Sequence, residues 1–335
     1  MTMVISGGTL VTAAGRVSAD IRVEQGRIAA VGLHLRTPGD EVLDASGCYV
    51  MPGAIDAHTH IELPLGGGAR NADTWYSGTV AAAFGGTTTV LDMITQERGS
   101  TLGAALGEWH RRAGPQALVD YGFHMGIIDP RPEVLAEIPE IARLGVPSFK
   151  VYTAYRGRLM LGDADLFAVM RSVAAASGLV LAHAENGDVV DALVAEAVAA
   201  GNTAPHYHAV TRPAAAEAEA TARVCRLAEM AGARLYIVHV SCREALHEIV
   251  AARHRGQRVL AETCTHYLLF TAGDLARPDF DGARWVLAPP LRTDGDRTAL
   301  WEALADRTIE VVASDHCPWS LAQKAQGRDR FDRIP

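Results

Sequence analysis

The sequence predicts an α/β fold, in which a TIM-like (β/α)8 barrel follows a small β unit. From Met51 onward, short apolar segments alternate with alanine-rich stretches of helical pattern. Eight strands that alternate with helices are typical of a closed parallel barrel. The competing architecture is a doubly wound open sheet, which is expected to carry a glycine-rich phosphate turn. Neither GxGxxG nor GxxxxGK(S/T) occurs in the chain, and this favours the barrel.

The N-terminal residues read as short strands separated by turn residues such as Gly7, Gly15 and Gly26. Four strands are predicted here, at residues 3–6, 9–12, 20–23 and 27–31. Such a unit is too short to close a sandwich by itself. We therefore divide the chain into a β domain at 1–51 and a barrel domain at 52–335.

The barrel strands are predicted from apolar, partly β-branched segments. They lie at residues 54–60, 87–93, 121–127, 148–153, 179–184, 234–240, 259–263 and 309–315. Helices are predicted between most of them, as at 166–176, 189–200 and 214–231. After the eighth strand, the tail from His316 to Pro335 is largely polar and has no apolar stripe suited to a closing helix.

Composition and charge narrow the classes of protein that this chain can be. Of its 335 residues, 49% are hydrophobic and 21% are charged, which is typical of a globular protein. The net charge of −8 and the lack of a Lys/Arg run argue against a nucleic-acid partner. Five scattered cysteines do not suggest a disulfide framework. Because we see no signal peptide and no membrane span, we expect a cytoplasmic protein with no membrane partner.

Side chains that can bind metal are predicted at the carboxyl ends of the strands, where barrel active sites lie. His58 and His60, at i and i+2 on an extended segment, point to the same side of the first strand. The later strand ends carry Lys150, His183, His239 and Asp315. One buried histidine alone is more often a satisfied core residue, but six such groups on one rim favour a metal site.

Lys150 is the informative member of this set, because an ammonium group repels metal cations. Burial near cations lowers the pKa of a lysine, and the neutral amine can then take up CO2. The resulting carbamate is an anionic ligand able to bridge two metals. A lysine held in an ion pair is the alternative, and the sequence leaves it open.

Five motifs in a fixed order carry a resemblance to a known family. They are His58-Thr59-His60, Ser148-Phe149-Lys150-Val151-Tyr152, Ala182-His183-Ala184-Glu185, Val238-His239-Val240-Ser241 and Ser314-Asp315-His316-Cys317-Pro318. Together they resemble the cyclic amidohydrolases, and among these most of all the dihydropyrimidinases and bacterial D-hydantoinases. Glu262-Thr263-Cys264 and Pro289-Pro290-Leu291-Arg292 add to the resemblance, which covers essentially the whole chain.

The resemblance implies a composite β-sandwich beside the barrel and a binuclear metal site, with zinc as the expected metal. The implied ligands are His58, His60 and Asp315 for one ion, His183 and His239 for the other, and carbamylated Lys150 as the bridge between both. Manganese and cobalt stay open, because histidine and carboxylate ligands accept all three metals.

The implied activity is hydrolysis of the cyclic amide C–N bond in 5-substituted hydantoins or dihydropyrimidines, which gives N-carbamoyl amino acids. A metal-bridging hydroxide would attack the ring carbonyl. Tyr155 would hydrogen-bond that carbonyl, and Asp315 would accept the proton of the attacking water. The expected partner is a small cyclic amide, and a homotetramer is expected for the full-length protein.

Several positions bear on the substrate. Family members that bind dihydroorotate carry an arginine soon after the second metal histidine; Ile61-Glu62 stands here, which argues against that substrate. Ala288 replaces a serine that usually contacts the substrate imide. Leu65 and Leu159 are expected to place apolar side chains over the site, which suits an alkyl or aryl ring substituent. Allantoinase stays the alternative activity.

The chain ends at Ile334-Pro335, where the family continues with a substrate-contacting loop, the last barrel helix and further sandwich strands. We therefore expect a fragment or an incomplete sequence with an incomplete β domain, and poor solubility or inactivity when residues 1–335 are expressed alone. A non-catalytic relative, like the neuronal collapsin-response proteins, is disfavoured by the six intact ligand positions, but an inactive truncated chain stays open.

Overall fold

The computed structural model describes residues 2–66 and 69–335. The chain divides into two compact units, Met1–Ala54 and Ile55–Pro335. The boundary that the sequence predicts, between residues 51 and 52, lies three residues before this division.

The first unit consists of two small sheets. Its strands are β1 (Thr2–Ser6), β2 (Thr9–Thr12), β3 (Gly15–Ser18), β4 (Asp20–Glu24), β5 (Arg27–Gly32), β6 (Glu41–Asp44) and β7 (Tyr49–Val50). One sheet has the order β5-β4-β1-β6 and the other β3-β2-β7. The four predicted strands are confirmed, and β3, β6 and β7 are additional.

The second unit is built on an eight-stranded parallel sheet. Its strands are β8 (Ala54–Thr59), β11 (Thr87–Thr95), β12 (Asp120–Gly126), β13 (Ser148–Tyr152), β14 (Leu179–His183), β15 (Arg234–Ile237), β16 (Val259–Cys264) and β17 (Val311–Ala313). A short antiparallel pair, β9 (Pro64–Gly66) and β10 (Ala69–Arg70), follows β8. All eight predicted barrel strands are confirmed, with ends that differ by a few residues.

The sheet closes on itself. In this sheet β8 lies next to β11, and the strands from β11 to β17 follow one another in chain order. A parallel bridge joins Thr59 to His316, and the backbone N–H of His60 donates to the carbonyl of His316 at 2.8 Å. These contacts connect the first strand to the segment after the last one, so the barrel prediction is confirmed and the open-sheet alternative is wrong.

Helices separate most of the barrel strands. They are α1 (Trp75–Phe84), α2 (Leu102–Ala113), α3 (Pro132–Arg143), α4 (Asp163–Ala175), α5 (Gly187–Ala199), α6 (Tyr207–Val210), α7 (Ala214–Ala231), α8 (Arg243–His254), α9 (Thr265–Leu269), α10 (Asp294–Ala305) and α11 (Leu321–Lys324). Side chains cap several N-termini, as at α2, where Thr101 accepts from the N–H of Ala104. The three predicted helices are confirmed, and two of them begin two or three residues earlier. None of the described helices is long and apolar enough to cross a membrane.

The core of this unit has two parts, which follow from the alternation of side chains along a strand. On β14, Val180 and Ala182 belong to the large apolar cluster that lies between strands and helices. Leu181, on the opposite face, belongs to a second cluster with Met93 of β11, Tyr236 of β15 and Val238, which follows β15. This small cluster fills the barrel interior, as expected of a closed eight-stranded barrel.

The tail after β17 lacks a closing helix, as predicted. It contains α11 and two 3₁₀ turns, at Ala325–Gly327 and Phe331–Arg333, and no longer helix. Although it is largely polar, Phe331 and Ile334 are buried in the large apolar cluster. The N–H of Phe331 donates to the carbonyl of Thr203 at 2.9 Å. Hydrogen bonds also attach the tail, as from Nζ of Lys324 to the carbonyl of Val286 at 2.9 Å and from Nε2 of Gln323 to the carbonyl of Arg70 at 2.9 Å.

Candidate metal centre and active site

Two histidines and an aspartate converge where the first and last barrel strands end. The Nε2 atoms of His58 and His60 lie 3.3 Å apart, and each lies 3.3 Å from Oδ1 of Asp315. A tetrahedral ion with bonds of about 2.0–2.1 Å separates its ligand atoms by about 3.3–3.4 Å. The three side chains therefore fit one divalent metal ion, and they are the one such cluster among the described residues.

The direction of the two histidines is set by the residues between and after them. Thr59 points to the opposite face of the strand, where its hydroxyl donates to Oδ1 of Asp92 at 2.8 Å. The same oxygen accepts from the N–H of Ile61 at 2.7 Å, and Oδ2 accepts from Nε1 of Trp109 at 3.1 Å. Burial raises the pKa of Asp92 to about 7. This carboxyl holds the strand end so that the histidines face the interior.

A second carboxylate orients His58 from inside the barrel. Oε1 of Glu262 lies 2.7 Å from Nδ1 of His58 and accepts from the N–H of His239 at 3.1 Å. The hydroxyl of Tyr236 donates to the other oxygen at 2.7 Å. Burial opposes ionisation of Glu262, but His58 and Tyr236 outweigh it and hold its pKa below the ordinary value. A carboxylate that accepts the Nδ1–H of His58 leaves Nε2 free to bind metal.

His183 and His239 form a second pair beside the first cluster. Nδ1 of His183 lies 2.9 Å from Nε2 of His239, and both side chains are buried. The rings of His58 and His239 are stacked, with centroids 5.6 Å apart. The four histidines are therefore parts of one site at one end of the barrel.

The backbone at His239 departs from regular strand geometry. Tyr236 and Val238 both contribute to the interior cluster, so strict alternation would aim His239 at the helices. His239 instead has a φ of 40°, a left-handed conformation that is uncommon for residues other than glycine. This conformation brings the imidazole back toward the interior, where it meets His183.

Lys150 is buried in the same part of the barrel, with 1% of its surface exposed. Among the described residues, no carboxylate lies within salt-bridge distance of its Nζ, so the ion-pair alternative has no support. The centroid of the Tyr152 ring lies 5.4 Å from Nζ. Burial lowers the pKa of Lys150 to about 8, although Asp315 and Glu262 partly oppose this.

Asp315 and Tyr155 also have left-handed backbones, with φ of 49° and 68°. Such conformations cluster at functional sites, where the surrounding structure holds them. Burial would raise the pKa of Asp315, but His58 and His60 hold it well below the ordinary value. Burial raises the pKa of Tyr155, whose ring centroid lies 4.9 Å from that of His183. At neutral pH, Asp315 is thus a carboxylate, and Tyr155 keeps its proton.

Of the two leucines expected to lie over the site, only the side chain of Leu159 is among the described residues. Leu159 is half-buried in the loop after Tyr155, and its N–H donates to the Tyr155 carbonyl at 3.0 Å. Leu65 lies on β9, and its side chain is outside the described residues. Among the described residues, no hydrogen bond joins Leu159 to any of the metal-binding candidates.

Ala288 lies half-buried in a segment whose backbone is held on both sides. Nε2 of His208 lies 2.8 Å from the carbonyl oxygen of Leu287. The hydroxyl of Tyr267 donates to the carbonyl of Pro289 at 2.6 Å. Among the described residues, no hydrogen bond joins Ala288 to the four histidines.

Sequence reasoning missed the roles of three buried carboxylates around the site. Asp92 and Glu262 hold the first cluster, and Glu185 lies 2.9 Å from Nε2 of His183. The sequence feature that could have indicated these roles is an acidic residue inside a buried strand or within two residues of its end. Such residues are rarely buried unless they are paired.

The comparison with protein families agrees with this geometry. The family model described as "Amidohydrolase family" matches residues 49–329, most of the chain. The chain belongs to the amidohydrolase family. Enzymes of this family are metal-dependent, and the cluster of His58, His60 and Asp315 in this amidohydrolase could hold such a metal.

Individual relatives share the whole length of this amidohydrolase. A D-hydantoinase of Ralstonia pickettii is 46% identical over 336 residues, which cover 100% of this chain and 73% of the relative. A crystal structure of D-hydantoinase is 44% identical, with a TM-score of 0.97 over 100% of this chain and 73% of that one. The dihydropyrimidinase structure from Brevibacillus agri is 43% identical with the same TM-score and coverage.

Proposed function

We propose that this amidohydrolase opens the ring of 5-substituted hydantoins or dihydropyrimidines by hydrolysing a cyclic amide C–N bond, which yields N-carbamoyl amino acids. The observation that carries the proposal is the 3.3 Å triangle of His58, His60 and Asp315. Relatives named D-hydantoinase and dihydropyrimidinase, at 46% and 43% identity over the whole chain, support the substrate class.

We assign the metal ligands by combining the motifs with the geometry. His58, His60 and Asp315 would hold one ion, and His183 and His239 the other. Lys150, as its carbamate, would bridge them, because an unpaired amine whose pKa is about 8 is available for reaction with CO2. Zinc is our preferred metal, because it favours nitrogen and oxygen ligands in tetrahedral sets. Manganese and cobalt accept the same ligands.

When bound, the metal ions would supply a hydroxide nucleophile near neutral pH and polarise the ring carbonyl. Asp315 would accept the proton of the attacking water and return it to the departing ring nitrogen. The hydroxyl of Tyr155 would donate a hydrogen bond to the developing oxyanion. The raised pKa of Tyr155 suits this role, because the phenol stays a donor across the neutral range.

The ring substituent is proposed to meet Leu65 and Leu159, whose apolar side chains suit alkyl or aryl groups. Ala288 is proposed to contribute its main chain to recognition of the imide, since its flanking carbonyls are held by His208 and Tyr267. An alanine in place of the usual serine is then tolerated.

The experiment is one kinetic panel on metal-loaded protein, with dihydrouracil, 5-phenylhydantoin, 5-methylhydantoin, allantoin and dihydroorotate as substrates. We expect ring opening of the hydantoins and dihydrouracil, followed by chromatographic detection of the N-carbamoyl product. Asp315→Asn serves as the matched inactive control. Turnover of allantoin alone would replace the proposal with the allantoinase alternative, and no turnover of any cyclic amide would contradict it.

We also propose a cytoplasmic location and a homotetramer, with residues 1–51 as part of a composite β-sandwich. All five cysteines are free, which agrees with a reducing compartment. Light scattering on the purified protein tests the tetramer, and cell fractionation tests the location.

A further inference from the structure

The second histidine pair has a buried carboxylate behind it. Nε2 of His183 lies 2.9 Å from Oε2 of Glu185, on the side of the ring opposite to His239. Glu185 comes two residues after His183 and is only 1% exposed. A carboxylate this deeply buried requires charged or hydrogen-bonding partners.

Two neighbours hold Glu185 in place. Nη1 of Arg212 lies 2.9 Å from the same Oε2 and supplies the opposite charge. The backbone N–H of Glu185 donates to the hydroxyl of Thr153 at 3.0 Å, and that hydroxyl donates to the Glu185 carbonyl at 2.8 Å. Arg212 is itself restrained, because its carbonyl accepts a hydrogen bond from Arg292.

This arrangement selects one tautomer of His183. An ionised carboxylate can only accept, so Nε2 of a neutral His183 carries the hydrogen and Nδ1 carries the lone pair. Nδ1 is the atom that faces Nε2 of His239 at 2.9 Å. The lone pair of His183 is thus presented where the two histidines can share a ligand.

We propose that Glu185, held by Arg212, is a positioning residue for the second metal ion. By accepting the Nε2–H of His183, it orients Nδ1 toward the ion shared with His239. The inference rests on the two-metal site of the proposed function. The contact between Glu185 and His183 parallels the contact between Glu262 and His58. Each ion would therefore have one histidine ligand held by a carboxylate. Outer partners of this kind tune metal affinity.

The test is metal binding, measured without substrate. Metal-free wild type, Glu185→Ala and Glu185→Gln are titrated with Co2+ in bicarbonate buffer against a competing chelator and followed by visible absorption. We expect wild type to bind two ions, and Glu185→Ala to bind the first ion normally and the second 10–100-fold more weakly. Glu185→Gln should lie between them, because its amide oxygen can still accept from His183.

Asp40→Asn is the matched control. The Asp40 side chain is also only 5% exposed and pairs with an arginine, Arg22, at 2.6 Å. Its described hydrogen-bond partners, Arg22 and Thr37, are not proposed ligands. We expect this variant to bind both ions like wild type. Circular dichroism and thermal melting establish that each variant is folded. If Glu185→Ala does not fold, the inference is tested by the affinity of Glu185→Gln for the second ion.

Several results would overturn the inference. They are equal affinity of wild type and both Glu185 variants for the second ion, the same weakening in Asp40→Asn, or a wild-type chain that binds a single ion. Hydrolysis is measured separately. A protein that binds two ions with the expected variant effects, but opens no cyclic amide, contradicts the proposed function and leaves the role of Glu185 standing.

Discussion

Nδ1 of His58 lies 2.7 Å from Oε1 of Glu262, and both side chains are fully buried. The two residues are 204 positions apart in the chain and lie on different strands of one barrel. Because the carboxylate accepts the Nδ1–H, the other ring nitrogen faces His60 and Asp315 with its lone pair. The tautomer of His58, a proposed metal ligand, is thus set by Glu262, which is not among the proposed ligands.

Removing this carboxylate should weaken the first metal position. We expect Glu262→Gln to lower the affinity of the ion at His58, His60 and Asp315 by about 10–100-fold, measured by chelator competition. Glu310→Gln is the control, because Glu310 is exposed and pairs with Arg253. Unchanged affinity in the Glu262 variant would show that His58 is oriented by packing alone.

Lys150→Ala should lose the proposed bridge. We expect the variant to retain little metal by elemental analysis and to lose most turnover, with partial recovery when short carboxylic acids are added. Lys324→Met is the control, because Lys324 is a buried lysine whose Nζ donates to the Val286 carbonyl at 2.9 Å. Full metal occupancy and normal turnover in Lys150→Ala would contradict the carbamate.

Asp315→Asn keeps the shape of the side chain but removes its ability to accept a proton. General base catalysis is worth about 10²–10⁴-fold, and we expect a loss of at least that size in kcat at saturating metal. The measurement is steady-state ring opening with metal content determined on the same sample. Near-normal kcat with full metal occupancy would place the base elsewhere.

His124 should make the stability of the protein depend on pH. Its Nδ1 lies 2.6 Å from Oγ of Ser148 and its Nε2 lies 3.0 Å from the carbonyl oxygen of Ala57. Burial lowers its pKa to about 4. Between about pH 6.5 and pH 4, the unfolded chain therefore binds a proton that the folded chain does not. The free energy of unfolding should fall across this range by at most about 3 kcal/mol on account of His124.

His124→Asn removes this titration. In urea unfolding of metal-free protein at a series of pH values, we expect a shallower fall for the variant than for wild type below pH 6.5. His254→Asn, at an exposed position, should keep the wild-type slope. Parallel curves for His124→Asn and wild type would show that His124 is protonated in the folded protein.

The order of the barrel strands and the residues at their ends could be predicted from the sequence. A strand such as Leu179–His183 is a local run of mostly apolar residues, and its end is marked by the residues that follow. Because barrel sites lie at these ends, His58 and Lys150 could be placed on one rim before any distance was known. The tail was harder, since burial of Phe331 depends on a surface that distant elements supply.

The sequence by itself therefore determined the succession of strands and helices and the chemical types gathered at one end of the barrel. Only the tertiary structure decided which nitrogen of His58 or His183 is free, and whether His239 faces inward. Those outcomes depend on Glu262, on Glu185 with Arg212, and on a φ of 40° at His239. A buried hydrogen-bond partner is selected by distance and angle after the strands have paired, and the residue types along the chain do not specify that geometry.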